Sequence, residues 1–233
     1  MARKKKKNQS RQNKMRYLIT KLSPRSPVSE QYRTVRTNLQ FSAVDADLKS
    51  MVVTSAGPGE GKSMTTANLA VVYAQQGKRV LLIDSDLRKP TVHYTFRVDN
   101  LKGLSNYLVG GDALTDVATP SDVDNLDIIS CGPIPPNPSE LLASKRMEKL
   151  MEEARQAYDI IIFDTPPVLA VADAQILSSM CDGAILVVRS KETEYEGANK
   201  AIESLQAVNA KILGTILNDR TKQDSNYYYY YGQ

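Results

Sequence analysis

The chain has 233 residues, 42% of them hydrophobic, and a formal net charge of +4. This length suits one sizeable α/β domain with tails and is too short for two comfortable domains. Nine Lys and Arg residues and no acid lie within residues 1–21, which leaves about −5 for the remainder (4 − 9). The basic charge belongs to a terminal segment, so the sequence argues against a nucleic-acid-binding surface.

The same basic segment lacks the apolar stretch of a signal peptide, and no other run is long enough to span a membrane. Cys131 and Cys181 are far apart and form no CxxC pair, which suits a reducing compartment and offers no zinc site. We therefore expect a cytoplasmic protein. Residues 1–24 are predicted to be flexible, either as a solvated tail or as a segment with affinity for anionic lipids.

The first predicted element is a helix over residues 29–41, with Ser29 at its N-cap. Glu30, Arg33 and Arg36 follow one another at intervals of three along it. This spacing places the three charges along one helical face, where they are either solvated or paired with another subunit.

A glycine-rich segment follows the apolar run Met51–Val53 and reads Ala-Gly-Pro-Gly-Glu-Gly-Lys-Ser. In a strand–turn–helix context, the backbone amides of such a turn converge on phosphate oxygens, Lys62 reaches the terminal phosphates and the Ser63 hydroxyl can ligate Mg²⁺. Ala56 replaces the usual first glycine, but the glycines that follow still permit the turn. The sequence predicts a site for a nucleoside triphosphate. The expected cofactor-binding residues are Gly57, Pro58, Gly59, Glu60, Gly61, Lys62, Ser63 and Met64.

Acidic residues end two later apolar runs, Asp84 and Asp86 in one and Asp164 in the other. The carboxyl ends of parallel strands share one edge of a sheet, so these acids should gather beside the phosphate loop. We expect Asp84 and Asp164 to hold Mg²⁺ and Asp86 to accept the proton of an attacking hydroxyl. Arg88 is placed to steady the negative charge of a phosphate or acceptor. The alternative is that Asp84 and Asp86 cap the following loop and helix.

Short β-branched runs alternate with helical stretches from residue 49 onward, which predicts a domain over residues 25–220. Its class is α/β, a doubly wound and mainly parallel sheet of the P-loop NTPase type with helices on both faces. The predicted strands are residues 50–54, 79–84, 126–130, 159–164, 183–189 and 211–217. The predicted helices after the first are residues 61–76, 139–157, 172–180 and 194–208.

Three further segments complete the chain. Residues 90–125 are predicted to hold two short helices, and the proline-rich stretch Pro133–Pro138 is predicted to be a stiff loop before a helix. Asn218, just beyond the last strand, is a candidate for adenine recognition. Residues 221–233 are predicted to form a flexible tail that contains five consecutive tyrosines, Tyr227–Tyr231.

These motifs together resemble the bacterial protein-tyrosine kinases of capsule and exopolysaccharide synthesis, in the stand-alone cytoplasmic form typical of Gram-positive bacteria. The resemblance covers nearly the whole chain. Its most specific parts are the phosphate loop with its strand, the acidic segment Leu82–Arg88, the segment Ile162–Pro167 and the terminal tyrosines. Residues 29–38 and 132–138 also look like the family.

The resemblance implies ATP- and Mg²⁺-dependent phosphorylation of tyrosine, on other proteins and in trans on the kinase's own tail, with the phosphoacceptors Tyr227, Tyr228, Tyr229, Tyr230 and Tyr231. It also implies a membrane-bound activator with a cytoplasmic segment that recruits the kinase to the inner face of the membrane, and a cognate phosphatase. Glu30, Arg33 and Arg36 match a motif that the family associates with subunit contacts in a ring.

Two alternative functions remain open. A partition or division-site switch ATPase shares the nucleotide-binding pattern, but it carries an additional lysine early in the phosphate loop, where this chain has Gly57. An ATP-gated adaptor of a polysaccharide export machine would work through assembly alone. A dinucleotide oxidoreductase is set aside, because the loop lacks the GxGxxG spacing.

Overall fold

A computed structural model describes residues 18–42 and 48–220. Its strands form one seven-stranded sheet in the order β3-β4-β2-β5-β1-β6-β7. All pairings are parallel except that of β3 with β4, so the predicted fold class is confirmed. The strands are β1 Ser50–Ser55, β2 Val80–Asp84, β3 Ala118–Pro120, β4 Leu126–Ile129, β5 Ile160–Asp164, β6 Gly183–Arg189 and β7 Ile212–Asn218.

Helices cover both faces of the sheet. They are α1 Ile19–Leu22, α2 Pro27–Ser42, α3 Lys62–Ala74, α4 Val92–Phe96, α5 Leu104–Val109, α6 Leu114–Val117, α7 Pro138–Leu142, α8 Lys145–Ala157, α9 Asp173–Met180 and α10 Tyr195–Gln206. The core therefore has two halves. Val52 of β1 faces the half that contains Leu150 of α8, whereas its neighbour Val53 faces the half that contains Leu69 of α3.

The central strands β1, β2 and β5 are buried along their whole length. A strand covered by helices on both faces has no solvent-facing side, which explains why its sequence is a continuous apolar run rather than an alternating one. Such runs are easy to recognise, and the predicted strands agree with the structure to within a residue or two at each end.

The structure differs from the prediction over residues 139–157, which form two helices rather than one. Ser144, between α7 and α8, has an extended backbone with φ −82° and ψ 157°. Its hydroxyl donates to the carbonyl oxygen of Leu141 at 2.7 Å, and serine side chains that bond the backbone in this way compete with helix continuation. Residues 90–125 likewise hold three short helices and the short strand β3, not two helices.

The amino-terminal boundary also differs from the prediction. Leu18 is 6% exposed and Thr20 is fully buried, and the Thr20 hydroxyl donates to Asn68 Oδ1 at 2.8 Å. The packed domain therefore begins before the predicted boundary at residue 25. The predicted N-cap is displaced as well, because α2 begins at Pro27 and the N–H of Ser29 donates to Ser26 Oγ at 3.1 Å. Proline suits this first helical position.

The predicted tail over residues 221–233, including Tyr227–Tyr231, and residues 1–17 of the basic segment lie outside the described residues. Within the described part of the chain, none of the helices has the length and apolar character needed to cross a bilayer.

Candidate active site

The phosphate loop joins β1 to α3 at the carboxyl edge of the sheet. Gly59 and Gly61 have positive φ values of 85° and 90°, which glycine adopts without strain. A side chain is doubly excluded at Gly61, since a Cβ atom there would lie 2.0 Å from Asn218 Nδ2. Because α3 begins at Lys62, the unpaired N–H groups of its first turn are available to an anion in the loop.

Glu60 holds this loop through hydrogen bonds and is only 8% exposed. One carboxylate oxygen accepts the N–H of Ala56 at 3.1 Å, and the other accepts the hydroxyl of Thr193 at 2.9 Å. The Thr193 oxygen in turn accepts the N–H of Arg189, at the end of β6, at 2.7 Å. Asn218 Nδ2 donates to the Glu60 carbonyl at 2.9 Å. The loop is thus tied to the ends of β6 and β7.

The Lys62 ammonium lies among the predicted acids. Its Nζ is 3.4 Å from Asp86 Oδ2, 3.5 Å from Asp164 Oδ1 and 3.2 Å from Ser63 Oγ. Burial disfavours the charge of Lys62, but the carboxylates of Asp164, Asp86 and Asp84 outweigh that effect and raise its pKa above the ordinary value. The lysine is therefore charged at neutral pH, as a phosphate ligand must be.

Asp84 and Asp164 are paired across β2 and β5, and both are fully buried. Asp84 Oδ2 accepts the N–H groups of Thr91 and Val92, both at 2.9 Å. Burial, followed by the neighbouring carboxylate of Asp164, raises the pKa of Asp84 to about 7. Burial also raises the pKa of Asp164. The capping role considered for Asp84 is therefore real, but it uses only one of the two oxygens.

The other carboxylate oxygens make this edge fit a divalent cation. Asp84 Oδ1 and Asp164 Oδ2 are buried and have no hydrogen-bond partner among residues 18–42 and 48–220, and the Ser63 hydroxyl lies 3.2 Å from Lys62 Nζ in the same cluster. Hard oxygen donors of this kind suit Mg²⁺, which commonly takes one or two carboxylates together with waters and phosphate oxygens. No group of three or more His, Cys, Asp or Glu side chains in the described ranges could hold a metal ion by itself.

Asp86 lies at the mouth of this acidic cluster. It is 6% exposed, its Oδ2 faces Lys62 Nζ, and its Oδ1 accepts the N–H of Lys89 at 3.0 Å. The second contact closes a turn after β2. One oxygen thus shapes the backbone while the other points toward the lysine, so the turn-capping and the proposed catalytic roles of Asp86 are compatible.

Arg88 points away from this cluster toward Asp173. Its Nε donates to Asp173 Oδ2 at 2.9 Å, and its Nη2 donates to Asp173 Oδ1 at 3.2 Å and to Ser139 Oγ at 3.0 Å. The buried Asp173 carboxylate attracts the guanidinium away from the phosphate loop. The role predicted for Arg88 at the phosphates stays a prediction that this geometry does not favour.

The remaining predicted nucleotide contacts line the open side of the loop. Residues 57–59 are partly or fully exposed there, and Met64 is half-buried in the first turn of α3. Asn218 ends β7 and contacts the loop through Glu60, as described above. Its side chain is therefore within reach of the nucleotide region, while adenine recognition by Asn218 stays a prediction.

The three charges predicted at a subunit interface have different surroundings. Arg33 forms an ion pair with Glu30 on the surface of α2. Arg36 instead turns inward, and its Nη1 donates to the carbonyl of Val72 in the last turn of α3 at 2.8 Å. The last four carbonyl groups of a helix have no intrahelical donor, and the carbonyl of Val72 is one of them. Arg36 therefore ties α2 to α3 within one chain, and its role between subunits stays a prediction.

Sequence reasoning missed three residues at this edge. Thr193 holds Glu60, and Asp173 with Ser139 holds Arg88. None belongs to a recognisable motif, and each partner is more than 30 residues away along the chain. The only sequence feature that points to these residues is their place in the chain, because each follows soon after a buried strand or a proline-rich loop.

The fold and the phosphate loop define a P-loop nucleotide-binding protein. Residues 48–218 match the family described as AAA domain. The chain is 54% identical to the tyrosine-protein kinase YwqD of Bacillus subtilis over 217 residues, which cover 93% of this chain and 92% of that protein.

Solved structures agree with this similarity. The kinase domain of the Escherichia coli tyrosine kinase ETK superposes with a TM-score of 0.86 at 36% identity, covering 93% of this chain and 85% of that one. The septum site-determining protein MinD of Pyrococcus horikoshii, at 24% identity and a TM-score of 0.63 over 76% and 73% of the two chains, shares the fold alone. The chain belongs to the bacterial tyrosine-protein kinases of capsule and exopolysaccharide synthesis.

Proposed function

We propose that this protein transfers the γ-phosphoryl group of ATP to tyrosine, on its own residues 227–231 in trans and on other proteins, and so regulates capsular or exopolysaccharide synthesis. The observation that carries the proposal is the meeting of Lys62, Asp84, Asp86 and Asp164 at one sheet edge. This arrangement occurs in a chain 54% identical to a tyrosine-protein kinase.

In this mechanism the loop amides and Lys62 bind the β- and γ-phosphates. Ser63, Asp84 and Asp164 would hold Mg²⁺, which neutralises charge on the transferred group. Asp86 Oδ2 orients the tyrosine hydroxyl and accepts its proton. A bond forms between the phenolic oxygen and the γ-phosphorus as the bond to the bridging oxygen breaks, and ADP departs.

The Lys62–Asp86 contact gives this proposal a specific geometry. Phosphate oxygens entering the loop would draw the Lys62 ammonium away from Asp86 Oδ2, from which it is separated by 3.4 Å. That oxygen then becomes available to a hydroxyl group. Nucleotide binding and exposure of the base are thereby coupled through one side chain.

The same proposal includes partners. The kinase would act with a membrane protein whose cytoplasmic segment recruits and activates it, and with a phosphatase that removes the phosphates. Each phosphate adds about −1.5 to −2 charges at neutral pH, so a modified tyrosine cluster would repel its copies and dissociate a ring of subunits. Glu30, which is exposed, and Arg33, which is partly exposed, are the charges on α2 that would contribute to that ring.

The test is intact and fragment mass spectrometry of the full chain after incubation with Mg²⁺-ATP. Stepwise phosphate additions on the peptide with residues 227–231 are expected in the wild type and in the control Lys78→Met, an exposed lysine at the opposite edge of the sheet. Lys62→Met should abolish them, because it removes the charge that holds the phosphates. Tyrosine phosphorylation that persists in purified Lys62→Met would contradict the mechanism.

The switch-ATPase and adaptor alternatives make a different prediction. Either would hydrolyse or bind ATP without modifying tyrosine. Repeating the experiment with the cytoplasmic segment of a candidate membrane partner separates them, since an activated kinase then gains phosphate on the tail whereas a switch protein does not.

A further inference from the structure

Asp173 is a fully buried acid outside the nucleotide cluster. Its side chain has 0% exposure, and its oxygens accept Arg88 Nε at 2.9 Å, Arg88 Nη2 at 3.2 Å and Ser139 Oγ at 2.6 Å. A charged carboxylate is retained in a protein interior when it is paired and hydrogen-bonded. The two-nitrogen contact also fixes the plane of the guanidinium, which a single contact would not.

These three side chains close a triangle, because Arg88 Nη2 also donates to Ser139 Oγ at 3.0 Å. Each corner belongs to a different segment at the carboxyl edge of the sheet. Arg88 lies in the turn after β2, Asp173 begins α9 after the β5 loop, and Ser139 is in the first turn of α7. The proline-rich loop leads directly into this contact, since Ser139 is the second residue of α7.

The triangle reaches the active site through the backbone. Asp86 Oδ1 accepts the N–H of Lys89 at 3.0 Å, so residues 86–89 form a closed turn with Arg88 inside it. Fixing the Arg88 guanidinium fixes this turn. The other oxygen of Asp86 is then held toward Lys62 Nζ, at 3.4 Å.

We propose that Asp173 and Ser139 are positioning residues of the kinase, which act through Arg88 to hold the turn that carries Asp86. The catalytic part of this inference depends on the proposed role of Asp86 as base. Arg88 itself is then a positioning residue rather than a ligand of the phosphates. Small displacements of a catalytic group are costly, so loosening the turn should slow transfer without removing the nucleotide site.

The main test compares Asp173→Asn with Asp159→Asn. Asp159 also forms a two-nitrogen pair with Arg79, at 3.0 and 3.4 Å, at the opposite edge of the same strands, where its side chain is 35% exposed. Asp173→Asn should lower kcat for tail phosphorylation about tenfold, the effect of weakening one charged hydrogen bond, and leave the Kd for Mg²⁺-ATP within about twofold. Asp159→Asn should leave both values near those of the wild type.

Hydrogen exchange measures the turn itself, independently of catalysis. The Lys89 amide should exchange faster in Asp173→Asn and remain protected in Asp159→Asn, because only the former loosens the turn. Ser139→Ala is a second variant that leaves no buried charge unpaired. It should show the same two effects at smaller size, which keeps the test decisive if Asp173→Asn fails to fold.

Unchanged exchange at Lys89 in the folded variants would overturn the inference. A loss of stability and of nucleotide affinity with an unchanged kcat would also overturn it, since that pattern describes a structural role only. Faster exchange with an unchanged kcat would show that the three side chains hold the turn but do not position Asp86 for catalysis. That result overturns the catalytic part of the inference and leaves the role of Asp86 as base to the Asp86→Ala variant.

Discussion

The hydroxyl of Thr193 forms one of the contacts between the phosphate loop and the end of β6, beside the bond from Arg189 Nη1 to the Gly59 carbonyl at 3.4 Å. Thr193→Val removes the hydroxyl while preserving the shape of the side chain. Two contacts are lost, the donation to Glu60 Oε1 at 2.9 Å and the acceptance of the Arg189 N–H at 2.7 Å. Since Glu60 is 8% exposed, little solvent is available to replace the lost donor.

A hydrogen bond to a charged group contributes about 1.5–3 kcal/mol. If that whole amount holds the loop in its binding conformation, the Kd for Mg²⁺-ADP should rise by about 10- to 150-fold, at about 1.4 kcal/mol for each factor of ten. Global stability should fall by less than this, because the loop can loosen locally while the sheet remains folded.

Isothermal titration calorimetry with Mg²⁺-ADP measures the Kd, and urea unfolding measures the stability. Thr193→Ser is the conservative control and should retain most of the affinity. Thr34→Val is the matched control, because its hydroxyl donates to a helix carbonyl on the exposed surface of α2. A Thr193→Val protein that binds Mg²⁺-ADP as tightly as the wild type would refute the role of Thr193 in holding the phosphate loop.

Three further predictions concern other parts of the chain. Asp86→Ala should lower kcat for phosphoryl transfer at least 100-fold while sparing ATP affinity, and unchanged turnover would remove Asp86 as the base. Changing Glu30, Arg33 and Arg36 together to Ala should give a smaller particle by native mass spectrometry, and an unaltered mass would end the ring assignment. The Glu30 and Arg33 double variant should give the smaller particle as well, because it removes the two charges proposed for the ring and keeps the Arg36 contact within the subunit. Asp182→Asn should cost about 2 kcal/mol in urea unfolding, since the carboxylate accepts several hydrogen bonds.

The Asp182 contribution has a defined pH dependence. Burial raises the pKa of Asp182, but the hydrogen bonds from Arg155 and Ser50 together outweigh that effect and hold this pKa below its usual range. A folded-state pKa below the unfolded value means that the stabilisation is present above about pH 4 and disappears as the pH falls through the folded pKa. The wild type and Asp182→Asn should therefore converge in stability at acid pH. A difference that stays constant down to pH 2 would contradict this assignment.

The phosphate loop and the acids at the strand ends could be predicted because they are local features. These features are a glycine turn that ends in Lys62 and Ser63, and apolar runs that end in Asp84 and Asp164. Each predicts the same local structure regardless of the rest of the chain. Their meeting at one edge then follows from the parallel order of the strands. The structure confirms the sheet and places the carboxylates of Asp86 and Asp164 3.4 and 3.5 Å from Lys62 Nζ.

The choice of partner for each remaining polar side chain depended on the tertiary structure. Arg88 follows the acidic motif directly, yet its guanidinium pairs with Asp173, 85 residues later. Arg36 lies at helical spacing from Glu30, yet its guanidinium donates to a main-chain carbonyl at the end of α3.

The amino-acid sequence by itself determined the class of fold, the phosphate loop and the acids beside it. Each of these is marked by a pattern of residues adjacent in the chain: a continuous apolar run, a glycine turn, or an acid directly after a strand. Only the tertiary structure decided which loops brace the site. A buried charge must find a partner in three dimensions, and the partner of a side chain such as Thr193 or Asp173 is selected by packing between distant segments, which leaves no periodic pattern along the chain.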